Sequence, residues 1–156
     1  MADEQDSGRT GLYFEDLRVG QRFRTGTYTI TEEQIKAFAT QFDPQPFHLD
    51  DTAARATLFG GLVASGWHTA AITMRLLVDG GVSLAGGSVG LGVELDWIEP
   101  VRPGDCLHVE GEVIELTASR SRPDRGRVKM RNETRNQRGV IVQVAINEVL
   151  VPRRPG

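Results

Sequence analysis

A short polar stretch places an acid and a possible base close together between residues 42 and 51, which read FDPQPFHLDD. Asp43 and His48 flank two proline residues, Pro44 and Pro46. Proline fixes its own φ and makes the preceding residue extended, so we expect an extended path along which both side chains can face one cavity. A carboxylate beside an imidazole can perform general acid–base chemistry. The spacing alone favours a polar turn with a surface histidine, because Asp and Pro are common in turns.

A second candidate is the sequence ASGWH, at the predicted start of a helix. Ser65 is a good N-cap, and the amides of Gly66 and Trp67 could hold a developing oxyanion, because helix N-termini carry free N–H groups and partial positive charge. The alternative is a plain N-cap in which Gly66 only packs, and the residues alone favour it. We expect His68, in the first turn, to be structural, since a protonated histidine is disfavoured there.

Elements that could position these residues are visible in the flanking sequence. Residues 21–30 are rich in Thr, Tyr, Phe and Ile and predict a first strand. Thr31 to Phe42 predicts a helix, in which Thr31 and Gln34 match a capping box. One apolar face follows the helical spacing, formed by Ile35, Phe38, Ala39 and Phe42. Asp50 or Asp51 could cap a further short turn that runs through Ala56.

The segment from Ser65 to the glycine pair at 80 and 81 predicts a long helix. One apolar stripe consists of Trp67, Ala70, Ala71, Met74, Leu77 and Val78. Ile72 and Leu76 make the opposite side apolar as well, and a helix that is apolar nearly all round is usually buried. We therefore expect a central helix that is covered on more than one side.

Four strand-like runs follow, at residues 90–98, 107–117, 126–134 and 140–151. Residues 136–139 have the composition of a hairpin turn, and we expect His108 to lie on the surface of its strand. A strand, a buried helix and then an antiparallel run of strands predict the α+β class. A curved sheet wrapped around one helix would explain why that helix is apolar on all sides.

Composition excludes several classes of function. The chain has 156 residues, of which 25% are charged and 39% hydrophobic, as expected of one globular domain. The net charge of −3 argues against a nucleic-acid partner. The histidines at 48, 68 and 108 are far apart in sequence, and no cysteine–histidine cluster occurs, so we expect no metal site. The single cysteine, Cys106, an acidic start without a secretory signal and the lack of a long apolar segment predict a cytoplasmic protein with no membrane partner.

The two candidate segments, in this order, resemble the MaoC-like dehydratases, a family that is also called (R)-specific enoyl-CoA hydratases. The family motif D-x-N-P-x-H is similar to residues 43–48, and its glycine-containing stretch before the central helix is similar to residues 59–66. Similar short stretches at 13–20 and 101–105 extend the resemblance over nearly the whole chain. Gln45 stands where the commoner motif has Asn, which puts the substrate in doubt more than the chemistry.

The resemblance implies a hotdog fold and a homodimer or higher homo-oligomer. It also implies that Asp43 and His48 activate a water that adds to a trans-2-enoyl thioester, while the Gly66 amide polarises the thioester carbonyl. Further substrate-binding residues would be Gln45, Phe47, Phe59, Gly60 and Ser65. The substrate would be an acyl-CoA thioester, with CoA as part of the substrate and no separate cofactor.

The domain prediction has three parts, namely a mobile tail over residues 1–11, a MaoC-like hotdog domain over 12–152 and a C-terminal tail over 153–156. Two other functions stay open at this point. A hotdog acyl-CoA thioesterase would release a free thiol. A non-catalytic acyl-CoA-binding subunit would bind a thioester without turnover.

Overall fold

The computed structural model describes residues 11–156, so residues 1–10 of the tail predicted over residues 1–11 lie outside the described residues. A turn of 3-10 helix, Phe14–Asp16, precedes two short strands, β1 (Arg22–Arg24) and β2 (Tyr28–Thr29). The helices are α1 (Glu32–Phe42), α2 (Pro46–Leu49), α3 (Asp51–Arg55) and α4 (Gly66–Gly80). Four long strands complete the chain: β3 (Val89–Trp97), β4 (Cys106–Ala118), β5 (Arg125–Arg135) and β6 (Ile141–Pro152).

The strands form one antiparallel sheet in the order β1-β4-β5-β6-β3, and β2 pairs with the start of β4. Helix α4 packs on this sheet. Its inward side chains Ile72 and Leu76 join a core formed with Ile30, Ile35, Leu62, Ala64, Val101, Leu107, Val109 and Val142. A second core cluster lies further along the sheet around Val113, Val128 and Val151. The arrangement is the predicted α+β hotdog fold, an antiparallel sheet with a central helix.

The local signals for helices and turns are confirmed. Thr31 caps α1 through a capping box, in which its hydroxyl accepts from the Gln34 amide and the Gln34 side chain accepts from the Thr31 amide. The Asp50 carboxylate caps α3 by accepting from the Thr52 amide at 2.9 Å. The predicted turn between β5 and β6 closes where the Gly139 amide donates to the Asn136 carbonyl, with Gly139 at a φ of 75°.

The prediction of one continuous strand over residues 21–30 is wrong, because this segment forms two short strands, β1 and β2. Thr25 lies between them and is buried. Its hydroxyl accepts from the Val109 amide at 2.9 Å, while its own amide donates to the Val109 carbonyl. A side chain thus takes the place of one backbone group in the ladder with β4, and the strand is interrupted there.

The prediction that α4 is covered on more than one side is wrong for the single chain. Its inward face is buried, but Trp67, Met74 and Val78 of the predicted stripe are exposed by 59%, 48% and 70%. These side chains continue across Val89, Leu91, Val93 and Trp97 of the edge strand β3, which are also exposed. No residue within 11–156 covers this surface, which we call the apolar face.

His108 is buried rather than on the surface, with an exposed fraction of 8%. It lies in the central strand β4, which has β5 on one side and β1 and β2 on the other. Burial is the main cause that lowers the pKa of His108, and the nearby charge of Arg24 lowers the pKa further. A position in a central strand therefore removes this imidazole from water.

The two ends of the described chain are held together by charge. The Glu15 carboxylate accepts from the Arg153 guanidinium at 2.8 Å and from the Arg154 amide at 2.9 Å. Arg154 also pairs with Asp16 at 2.6 Å. Both arginines belong to the segment predicted as a C-terminal tail, and these contacts attach them to the domain. No helix in residues 11–156 is long and apolar enough to cross a membrane.

Candidate active site

The break between α1 and α2 brings Asp43 and His48 together. Asp43 is the C-cap of α1, and Pro44 after it prevents the helix from continuing. Gln45 is extended, with φ −97° and ψ 147°, and Pro46 then starts α2 at a position where proline fits well. The predicted extended path therefore ends at Gln45, and the single turn of α2 directs His48 back towards Asp43.

The carboxylate of Asp43 is the centre of a small polar cluster. Its Oδ2 lies 3.3 Å from Nε2 of His48 and accepts from the Ser65 hydroxyl at 2.7 Å. Its Oδ1 accepts from the Gln45 side-chain amide at 2.6 Å. The side chains of Asp43 and His48 are only 18% and 7% exposed. The pair is therefore largely removed from water, yet each carboxylate oxygen has a donor.

A backbone contact orients the imidazole. Nδ1 of His48 lies 2.7 Å from the carbonyl oxygen of Val63. A carbonyl only accepts, so Nδ1 carries a proton, and in the neutral ring Nε2 is then the free base. Since Nε2 is the nitrogen that faces Asp43, the contact with Val63 leaves the basic atom beside the carboxylate. His48 also packs edge-on against the Phe47 ring, with centroids 4.6 Å apart.

The Asp43 carboxyl group is held in its ionised form. Burial is the largest single influence and raises its pKa. The hydrogen bonds from Ser65 and Gln45 and the neighbouring His48 lower the pKa and together outweigh burial, so that the pKa lies below its ordinary value. An ionised carboxylate can orient a water molecule, and the imidazole beside it can take a proton from that water.

The pair opens into a cleft of about 420 Å³. Of the predicted site residues, the structure places Asp43, Gln45, Phe47, His48, Phe59 and Gly66 on its wall. Ser65 reaches the site through its bond to Asp43. Its hydroxyl makes no capping bond, although Ser65 is the N-cap residue of α4. Gly60 is not on the wall, and its φ of 65° instead serves the turn that Thr57 closes.

The start of α4 faces the cleft at Gly66. Within residues 11–156 the amides of Gly66 and Trp67 have no acceptor, as expected for the first residues of a helix. The Trp97 indole lies against Gly66 so closely that a Cβ there would be 2.5 Å from its Cε2. Gly66 therefore lets an aromatic ring pack against the end of the helix, while its N–H stays available to a ligand.

Several residues of the cleft were missed from the sequence, among them Val63, Thr69, Trp97 and Val142. Val63 acts through its carbonyl, which no residue type reveals. Trp97 comes from β3 and donates to the Gln143 side chain on β6 at 3.0 Å, a contact between residues 46 positions apart. The sequence offered one signal for Trp97, namely its position at the end of a predicted strand shortly before Pro100.

His68 is packed between helices rather than in the cleft, as expected of a structural residue. Its ring stacks on Phe38 of α1, with centroids 4.6 Å apart and an interplanar angle of 3°. Burial lowers the pKa of His68. Among the residues that the structure describes, no group of three or more His, Cys, Asp or Glu side chains could hold a metal ion.

Nearly the whole chain is similar to several known proteins. The family profile described as MaoC like domain matches residues 15–136. A solved MaoC-like dehydratase from Rhodospirillum rubrum is 58% identical, with a TM-score of 0.91 over 94% of this chain and 100% of that one. The (R)-specific enoyl-CoA hydratase of the same organism is 31% identical over 91% of this chain and 93% of its own. A 3-hydroxybutyryl-CoA dehydratase from Methylorubrum extorquens is 37% identical over 71% of this chain and 69% of its own.

Proposed function

Because the chain belongs to the MaoC-like dehydratase family, we propose that it interconverts a trans-2-enoyl-CoA and the (R)-3-hydroxyacyl-CoA. Relatives named as an (R)-specific enoyl-CoA hydratase and a 3-hydroxybutyryl-CoA dehydratase support this reaction class. The observation that carries the proposal is the contact of 3.3 Å between the Asp43 carboxylate and the basic nitrogen of His48, at the wall of a cleft that also contains the start of α4.

In the proposed hydration, one water in the cleft contacts both the Asp43 carboxylate and Nε2 of His48. Nε2 of His48 takes a proton from the water, whose oxygen forms the new bond to C3 of the enoyl group. The electron pair of the double bond moves towards the thioester carbonyl, and C2 then receives a proton from the Asp43–His48 pair. Water is added in total, and the residues return to their starting state. The dehydration reverses each step.

The Gly66 amide would supply the electrostatic part of the catalysis. Conjugate addition builds negative charge on the carbonyl oxygen, and an unpaired N–H at a helix N-terminus stabilises such charge best in a site from which water is excluded. Phe47 and Phe59, whose ring centroids are 5.2 Å apart, provide an apolar wall beside the pair. Ser65 and Gln45 would keep Asp43 ionised and fixed in direction.

The direct test is the loss of ultraviolet absorbance when purified protein is mixed with crotonyl-CoA. Asp43→Asn and His48→Gln should each lower the rate by at least about a hundredfold, the usual contribution of a positioned acid or base. Asp50→Asn is the matched control, since it also neutralises an aspartate in this region but Asn still caps α3. Its rate should be unchanged. A thiol reagent in the same assay detects the thioesterase alternative, and binding without turnover would identify a non-catalytic subunit.

We also propose that the protein works as a homodimer or higher homo-oligomer whose interface covers the apolar face. Exposed apolar patches of this kind mark association surfaces, and the open edge of β3 can pair with another strand. Met74→Glu should therefore dissociate the oligomer in analytical ultracentrifugation. Val19→Glu introduces the same charge at an exposed apolar residue before β1 and should leave the assembly intact. A monomeric unmodified protein would contradict the proposal.

The free thiol of Cys106 is consistent with the proposed cytoplasmic location.

A further inference from the structure

Two cavities lie one after the other along α4. The candidate active-site cleft contacts the first turns of the helix at Gly66 and Thr69. A second, more apolar groove of about 510 Å³ contacts its last turns at Met74, Leu77 and Val78. An acyl chain that extended from the cleft along the helix would reach this groove, unless side chains between the two cavities block the way.

The side chains between the cavities form one chain of hydrogen bonds, which is buried except at Trp97. The Trp97 indole donates to the side-chain Oε1 of Gln143 at 3.0 Å, and the side-chain Nε2 of Gln143 donates to the Thr73 hydroxyl at 3.1 Å. That hydroxyl lies 2.6 Å from the hydroxyl of Thr134. Gln143 and Thr134 are fully buried, and Thr73 is 3% exposed. A buried network in which these groups satisfy one another holds each side chain in a single position.

The network joins four elements, since its members lie on β3 (Trp97), β6 (Gln143), α4 (Thr73) and β5 (Thr134). On β3 the groove ends at Val93, and the cleft begins at Trp97. On β6 the groove begins at Asn147, and Gln143 lies on the side towards the cleft, paired with Trp97 across the two strands. The indole, which is 45% exposed in the single chain, therefore lines the end of the cleft nearer the groove, and the fully buried Gln143 side chain holds it there.

We infer that Gln143 is a positioning residue that holds Trp97 as the end wall of the acyl site, so that the site accepts short acyl chains. The inference rests on the proposed function for one point, the placement of the thioester carbonyl at the Gly66 amide. The indole packs directly against Gly66. The acyl carbons beyond a carbonyl bound there therefore meet the ring within a few bonds.

Binding of saturated thioesters tests the inference without requiring turnover, because butyryl-CoA and octanoyl-CoA cannot be hydrated. The unmodified protein should bind octanoyl-CoA no more tightly than butyryl-CoA in calorimetry, although the longer chain has more apolar surface. Trp97→Ala removes the wall and should shift the ratio of the two affinities towards octanoyl-CoA by at least about tenfold, the effect of a few methylene contacts. An unchanged ratio, or a preference for octanoyl-CoA in the unmodified protein, would overturn the inference.

The role of Gln143 is tested through the hydrogen bond that it shares with Trp97. Trp97→Phe and Gln143→Leu each remove this bond, so each should shift the ratio in the same direction, and the double variant should shift it no further than the stronger single variant. Thr25→Val is the control, because it also removes the hydrogen bonds of a buried hydroxyl, remote from the cleft. The stability of Thr25→Val should fall, while its ratio of the affinities for octanoyl-CoA and butyryl-CoA stays unchanged. Additive shifts would refute the positioning role.

The binding experiments on the end wall and the hydration assay of the proposed function can fail independently. If crotonyl-CoA is hydrated but the ratio does not respond to Trp97→Ala, the end wall alone is refuted. If no enoyl thioester is hydrated but the ratio shifts as expected, the end wall stands and the hydratase assignment is lost. If neither saturated thioester binds, the inference falls as well.

Discussion

Ser65→Ala separates two roles that one serine could have at the start of α4. The Ser65 hydroxyl makes no capping bond to the helix, so replacing it should leave the helix cap unaffected. Its only hydrogen bond in the described chain goes to Asp43 at 2.7 Å. A hydrogen bond to a charged group contributes about 1.5–3 kcal/mol, and little water can replace it because the Asp43 side chain is only 18% exposed. We expect Ser65→Ala to lose stability in this range at neutral pH.

The pH dependence identifies the cause of this loss. The hydrogen bonds lower the pKa of Asp43 in the folded protein, so they stabilise the fold above the pKa of the unfolded chain. This stability is lost as the pH falls through the folded pKa. The difference between Ser65→Ala and the unmodified protein should therefore be largest at neutral pH and shrink once Asp43 is protonated in both. Without the serine the pKa of Asp43 rises, so Ser65→Ala should lose the stability that the ionised carboxylate contributes at a higher pH than the unmodified protein does.

Urea denaturation at several pH values measures both effects. Ser83→Ala is the matched control, because Ser83 is exposed and its side chain makes no hydrogen bond within residues 11–156. A stability loss below about 0.5 kcal/mol, typical of a neutral surface change, would refute the reasoning. So would a stability difference that does not shrink as the pH falls.

Three other perturbations test the packing and the charges. Gly66→Ala should cost about 1–3 kcal/mol in urea denaturation, because the new methyl group meets the Trp97 ring, and Trp97→Ala in the same chain should recover much of that loss. Arg153 and Arg154 lower the pKa of Glu15 from 4.5 to about 2, so the melting temperature of Glu15→Gln should fall below that of the unmodified protein at pH 7 and approach it as the pH falls from 4.5 to about 2. Burial lowers the pKa of His68 below 6.5, so the fold loses stability as the pH falls below 6.5. Urea denaturation should therefore show a smaller loss of stability between pH 7.5 and 5 for His68→Leu than for the unmodified protein.

The sequence by itself determined those features that depend on neighbouring residues. The capping box of Thr31 and Gln34 joins residues three apart, and the end of α1 follows from Pro44, so both could be predicted with no knowledge of the rest of the chain. The four strand-like runs after the long helix predicted an antiparallel sheet. The types and order of the residues at 43–48 and 59–66 identified the family. They also named Asp43 and His48, which the fold brings within 3.3 Å of each other.

Only the tertiary structure decided which distant groups meet. Ser65 was predicted as an N-cap, but the fold turns its hydroxyl to Asp43, 22 residues earlier. The tautomer of His48 depends on the Val63 carbonyl, and the position of Trp97 depends on Gln143. Periodicity showed that α4 is apolar on both sides, but not that its own sheet covers only one of them. Such contacts depend on how whole elements pack, and the periodicity of one element carries no information about what lies opposite it.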